Sequence, residues 1–332
     1  MSEPSSSRNN ALVSVPTVAD PRPPRNLQDL LRYAVETGDN STSNNNDVSP
    51  MDPERRRFLE EVLKSMTVDM AKELADAINK LKTMENPETT LESSEYEAAL
   101  DTISDFVDHI DAAIDFFKLG GFDIVHTCLQ STCPGVRSRM ADVVAVCTQN
   151  NPFCQGHAVT MNFLPRLLNI VEHDSDDECK LKAFYAVSCI VRDNSEALTQ
   201  FSNLDGFSVV LRSMNSNNER LIVKAAFFTT SMLSKNVELR DDLVRMGFVE
   251  KLIRLLKSPH GTPHEHFASS LVWLVQNNEE AQDICKRPEY HFEMTLRQLI
   301  NEYGQDDAYR EEMVSLRQLL EIIFNNDNEE ER

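Results

Sequence analysis

The chain has 332 residues, 41% of them hydrophobic, and a formal charge of −21. That acidity argues against a nucleic acid or an anionic membrane as partner, because both need clustered Lys and Arg; it permits a basic partner without requiring one. Seven cysteines without a CxxC pair form no even disulfide framework and fit a reducing compartment, and nine glycines with few alternating β-branched runs leave little signal for sheet.

Residues 1–50 are rich in Ser, Asn, Pro and Arg and are expected to be a largely disordered tail. MSEPSSSRNN lacks the apolar core of a signal peptide, and no 18-residue apolar span follows, so a cytoplasmic chain without membrane contact is expected. Within the tail, residues 26–36 place Leu27, Leu30, Leu31, Ala34 and Val35 at helical spacing. Such a short amphipathic segment either docks on its own domain or is held for a partner.

Residues 52–117 read as an N-terminal helical cap. Asp52-Pro53 supplies an N-cap and a first-turn proline, and apolar positions from Phe58 to Leu81 continue the helix to about Thr83. Asn86-Pro87 breaks it. Ser94-x-x-Glu97 then reads as a capping box for a helix carrying Leu100, Ile103, Val107, Ile110, Ile114 and Phe117. Asp101, Asp105, Asp108, Asp111 and Asp115 stripe its other side as a solvated or partner-facing acidic row, with Ala112 and Ala113 small enough for close approach.

Residues 118–287 carry a repeat. Asn151, Asn194, Asn236 and Asn278 follow apolar stretches at spacings of 43, 42 and 42, each twelve residues after Arg139, Lys182, Lys224 or His266. Gly121, Asn162, Gly206 and Gly247 each precede a phenylalanine: Phe122, Phe163, Phe207 and Phe248. Asn is the commonest replacement for Gly in a left-handed backbone. Self-similarity of about 40–47 residues with helical periodicity marks HEAT or armadillo arrays, whose units bury their apolar faces against one another. The expected fold is an all-α, armadillo-like, right-handed solenoid of about four repeats, with long helices near 137–150, 179–193, 220–235 and 263–277. Residues 288–324 read as a C-terminal helical cap and 325–332 as an acidic tail.

No dinucleotide, P-loop, HExxH or GxSxG signature occurs, so no enzyme, catalytic residue or cofactor is expected. His260, His264, Glu265 and His266 come nearest to a metal cluster, but Thr262-Pro263-His264-Glu265 reads better as a capping box, and no metal is expected. The asparagines either cap their own helix ends or line the groove, which in an armadillo unit is built by the third helix. Their fixed register favours the groove. Nuclear-import armadillo receptors carry Trp one turn before that Asn; those positions here are Cys147, Ile190, Met232 and Leu274, with Trp273 one residue off.

DAAIDFFKLGGF (111–122), LKAFYAVSCIVRDN (181–194), LDGFSVVLRSM (204–214) and PHEHFASSLVWLV (263–275) resemble the Hsp70-binding protein 1 family, in order over roughly residues 52–324. The resemblance implies a cytosolic nucleotide exchange factor whose concave face embraces one lobe of the Hsp70 ATPase domain and promotes ADP release. On face and register, helped by that resemblance, the expected contacts are Ala112, Ala113, Asn151, Arg192, Asn194 and Asn236. RNLQDLLRYAVETG (25–38) is similar to the family's N-terminal motif, which implies a role for Leu27, Leu30 and Leu31 at the chaperone's substrate groove. An armadillo adaptor that binds extended peptides or scaffolds a protein complex stays open as the alternative. A monomer is expected.

Overall fold

The computed structural model describes residues 53–84 and 90–325. The tail motif with Leu27, Leu30 and Leu31, the Asn86-Pro87 break and the last seven residues lie outside the described residues. The chain divides into two compact units, Met1–Met70 and Ala71–Arg332, with the boundary inside the first helix, α1 (Pro53–Lys82). Of the smaller unit the described part is the first half of α1, where Arg56 and Glu60 pair at 2.8 Å one turn apart.

In the larger unit, Leu74, Ala77, Ile78 and Leu81 of α1 enter the core together with Leu100, Ile103 and Val107 of α2 (Thr90–Val107). Two expectations fail here. The capping box at Ser94 is not formed, because α2 already begins at Thr90, and Glu97 instead pairs with Arg139 at 2.8 Å. The acidic row is not one helix either. The chain breaks at Asp108-His109, where His109 is extended (φ −93°, ψ 134°), and restarts as α3 (Ile110–Lys118). The five aspartates are exposed but divided between two helices and the turn joining them.

From α3 onward the plan is a triplet of helices repeated. The first comprises α3, α4 (Val125–Leu129, entered through a 3-10 turn at Phe122–Ile124) and α5 (Pro134–Thr148). The second comprises α6 (Pro152–Thr160), α7 (Phe163–His173) and α8 (Asp177–Val191). The third comprises α9 (Ser195–Asn203), α10 (Gly206–Ser213) and α11 (Glu219–Lys235). The fourth comprises α12 (Arg240–Arg245), α13 (Phe248–Leu256) and α14 (His264–Val275). A fifth group follows the same order: α15 (Glu279–Lys286), α16 (Phe292–Tyr303) and α17 (Arg310–Leu320). No strand occurs among the described residues.

A left-handed residue opens the middle helix of every triplet: Gly120 (φ 81°), Asn162 (φ 55°), Asp205 (φ 56°), Gly247 (φ 90°) and His291 (φ 46°). It redirects the chain so that the phenylalanine just beyond enters the core. Phe122, Phe163, Phe207, Phe248 and Phe292 are all buried, each contributing roughly 1.5–3 kcal/mol of transfer free energy. The glycine marker was therefore right in place but not always in cause. Gly121 (φ −66°) and Gly206 lie one residue after the left-handed position. They must be glycine because an added Cβ would sit 2.2 Å from the Phe116 ring and 2.3 Å from the Phe201 ring.

The third helices stack on one another in sequence, α2 on α5, α5 on α8, α8 on α11, α11 on α14 and α14 on α17. Edge-on aromatic pairs lock the interior, including Phe184–Phe228 at 5.8 Å and Phe201–Phe228 at 5.5 Å.

Candidate partner-binding face

The turn between a third helix and the next triplet decides what the asparagines do. In three turns the helix ends, one residue goes left-handed (Asn150, Asp193, Asn277), and the asparagine after it begins the next helix. Asn151, Asn194 and Asn278 cap that new helix, their Oδ1 atoms accepting from the amides of Cys154, Ala197 and Ala281 at 3.3, 2.9 and 2.8 Å. Asn236 differs. Lys235 occupies the position held elsewhere by Asn or Asp and tolerates a positive φ poorly, so α11 runs on to it, and Asn236 Nδ2 donates back to the Met232 carbonyl at 3.0 Å. The asparagine series is thus chiefly a joint between units, capping the helix that follows rather than the one that precedes.

Of the expected contact residues, Asn151 is 3% exposed and Ala113 2% exposed, facing the core, so neither offers surface to a partner. Ala112, Arg192, Asn194 and Asn236 are half-buried. The expected capping box at Thr262 is also absent: Pro263 occupies the N-cap position, and Thr262 Oγ1 donates to Glu219.

The polar face of the third helices runs one residue earlier than the asparagine spacing implied. Cys147, Ile190, Met232 and Leu274 are all buried, and the neighbouring Val146, Ser231 and Trp273 are the half-buried ones. Trp273 is therefore in register, seven residues after His266. The face starts from the basic series. Arg139 donates to Asp101 at 2.7 Å and pairs with Glu97, bridging α5 to α2. Lys182 pairs with Asp142 at 2.9 Å, bridging α8 to α5. Lys224 meets an aromatic ring in place of a carboxylate, 4.8 Å from the Tyr185 centroid. His266 stands edge-on to Phe227 at 5.7 Å.

Burial, with the neighbouring cations Lys182 and Arg220 adding to it, lowers the Lys224 ammonium from its ordinary value. Burial pushes the Tyr185 phenol up to about 12, and its hydroxyl donates to Gln149 Oε1 at 2.9 Å. Arg192, at the end of α8, sets its guanidinium 5.7 Å from the Phe227 ring, while its carbonyl accepts from Gln155 Nε2 at 2.9 Å. Tyr185, Phe227 and Trp273 were missed as face residues. Adding three to Lys182 and Lys224, one helical turn, would have found the first two.

Burial pushes the Cys154 and Cys189 thiols up to about 11, so they are not poised as nucleophiles. Among the described residues no three His, Cys, Asp or Glu are grouped to hold a metal, and His260 instead faces Glu312 at 3.1 Å. No described helix is long and apolar enough to cross a membrane. Fold and face together define a helical-repeat protein of armadillo type. Designed armadillo repeat proteins share the fold: one at TM-score 0.61 and 17% identity covers 75% of this chain and 99% of its own. Another, solved in complex with the peptide (KR)4, gives TM-score 0.62 and 17% identity over the same shares.

Sequence relatives narrow the class to a family. The model described as SIL1/FES1/HPBP1 C-terminal domain matches residues 112–211, and that described as nucleotide exchange factor Fes1 matches residues 27–116. Hsp70-binding protein 1 of Homo sapiens is 32% identical over 314 residues, 92% of this chain and 87% of the relative, and that of Mus musculus is 32% identical over 92% and 88%. The Hsp70 nucleotide exchange factor FES1 of Debaryomyces hansenii is 24% identical over 66% of this chain and 83% of its own. The chain belongs to the Hsp70-binding protein 1 family.

Proposed function

We propose that this chain is a nucleotide exchange factor for an Hsp70-type chaperone, binding the chaperone's ATPase domain with its third-helix face and promoting ADP release. The observation that carries this is the likeness to Hsp70-binding protein 1 along 92% of the chain, which takes in the whole stack from α2 to α14. The mechanism requires no catalytic group. A partner that binds the opened, nucleotide-free ATPase domain more tightly than the ADP-bound form lowers ADP affinity by the same factor. Ala112, Arg192, Asn194 and Asn236 stay as candidate contacts, and the tail motif with Leu27, Leu30 and Leu31 is assigned to the chaperone's substrate groove. The reading places the protein in the cytosol as a monomer.

The test is reciprocity. Affinity of the full chain for an Hsp70 ATPase domain is measured by calorimetry without nucleotide and with saturating ADP. The expected ratio is about 10- to 100-fold in favour of the nucleotide-free form, within the usual range of about 1–3 kcal/mol for coupled sites. Equal affinities would overturn the exchange mechanism and leave only binding.

A further inference from the structure

The third-helix face changes character along its length. At its α2–α5 and α5–α8 steps each cation meets a carboxylate: Arg139 with Glu97 and Asp101, Lys182 with Asp142. At the α8–α11 step the flanking cations are also neutralised, Arg220 by Glu178 and Lys235 by Asp193. The two between them are not. Arg192 and Lys224 have no carboxylate within 4 Å among the described residues, and each is held by a ring, Phe227 and Tyr185 respectively. Phe227 itself is 49% exposed between Arg192 and His266, whereas its neighbour Phe228 is buried.

A ring face attracts a cation without cancelling its charge, so the cation remains able to take a carboxylate from outside. Folding has therefore left two unneutralised cations around an exposed aromatic side chain, in a chain of formal charge −21. Rings and arginines framed by paired charges have the composition of a binding hot spot. Charge complementarity also fixes the sign of the partner: basic segments, which the overall charge permits, are repelled here, and acidic ones are favoured.

We propose that the α8–α11 step is the energetic centre of the interface, with Phe227 as its apolar anchor and Arg192 and Lys224 receiving carboxylates from an acidic patch on the chaperone's ATPase domain. The identity of the partner rests on the exchange-factor reading; the sign and position of the contact do not. It follows that the surface most used for recognition is not the asparagine series, and that a Lys-Arg peptide is not a ligand of this groove.

Binding of the full chain to an Hsp70 ATPase domain tests this, at 50 and 200 mM salt, for wild type, Phe227→Ala, Lys224→Gln and Lys224→Glu. Arg297→Glu, an equal charge change on α16, serves as control, and a (Lys-Arg)4 peptide is titrated in parallel. Phe227→Ala is expected to weaken binding about 30-fold or more. Lys224→Glu is expected to weaken it more than Lys224→Gln, with the gap shrinking at high salt. Arg297→Glu and the peptide should show no change in affinity and no binding. Circular dichroism and the thermal midpoint should stay close to wild type for Phe227→Ala, separating lost contact from lost fold. Wild-type binding untouched by Phe227→Ala and both Lys224 substitutions would overturn this inference alone. No binding by the wild-type chain would overturn the exchange-factor reading and the partner named here together.

Discussion

Arg137 and Asp174 should hold the first two triplets together. Arg137 Nε and Nη2 donate to the two carboxylate oxygens of Asp174 at 2.7 and 2.8 Å, and Nη1 donates to the Ser131 and Thr132 carbonyls at 2.8 and 3.0 Å. The side chains are only 13% and 6% exposed. Arg137→Met keeps the stem and removes the charge, leaving Asp174 buried. Removing one partner of a buried pair costs about 3–5 kcal/mol. We expect the lower end, about 3 kcal/mol, because Asp174 keeps the Asp176 amide at 2.9 Å. Removing both charges in Arg137→Met/Asp174→Asn should cost less than the sum of the single changes, with a coupling of about 2 kcal/mol.

The pH dependence of this pair supplies a second sign. Burial works to raise the Asp174 carboxyl, but the Arg137 hydrogen bonds and the Asp176 amide outweigh it and hold the group below its ordinary value. Its stabilising contribution is then complete above the unfolded value of about 4 and is lost as pH falls through the lowered folded value. In Arg137→Met burial acts against the charge with less opposition, so the deficit relative to wild type narrows in acid. Urea titrations from pH 3 to 7, followed by circular dichroism and by the fluorescence of Trp273, read both effects. Coupling below about 0.5 kcal/mol, or a deficit independent of pH, would refute the argument.

Further outcomes follow from packing. Gly206→Ala drives a Cβ to 2.3 Å from the Phe201 ring and should destabilise by about 1–3 kcal/mol, whereas Gly156→Ala, with nothing within 4 Å, should stabilise by about 0.5–1 kcal/mol in the same melts. His260→Leu should destabilise the junction of the fourth and fifth triplets. Burial raises the Glu312 carboxyl against the pull of His260, so without His260 the loss should grow as pH rises through that raised value and be smallest in acid.

The period was legible because each unit repeats a phenylalanine behind a left-handed turn, and those five rings are all buried. The fifth, behind His291, was hidden because His is an unusual left-handed residue. The short opening helices leave little trace in the sequence, since segments such as PFCQGHAVT and SEALTQFSN carry Gly or many polar residues and take their stability from packing and from an asparagine cap. The break at Asp108-His109 left no trace because the apolar spacing runs through it from Val107 to Ile110, and Ile110 proves 57% exposed. The face register slipped by one for a similar reason: an inserted left-handed residue such as Asp193 is invisible to a helical period. Long-range pairs such as His260 with Glu312, 52 residues apart, belong to tertiary structure alone.

The most direct test of the account is stopped-flow release of a fluorescent ADP analogue from an Hsp70 chaperone, mixed with excess ATP in the presence and absence of the full chain. The account predicts release accelerated by the wild-type chain at stoichiometric concentration and largely lost in Phe227→Ala. Release at the chaperone's own rate, from a chain whose helical spectrum is intact, would contradict it.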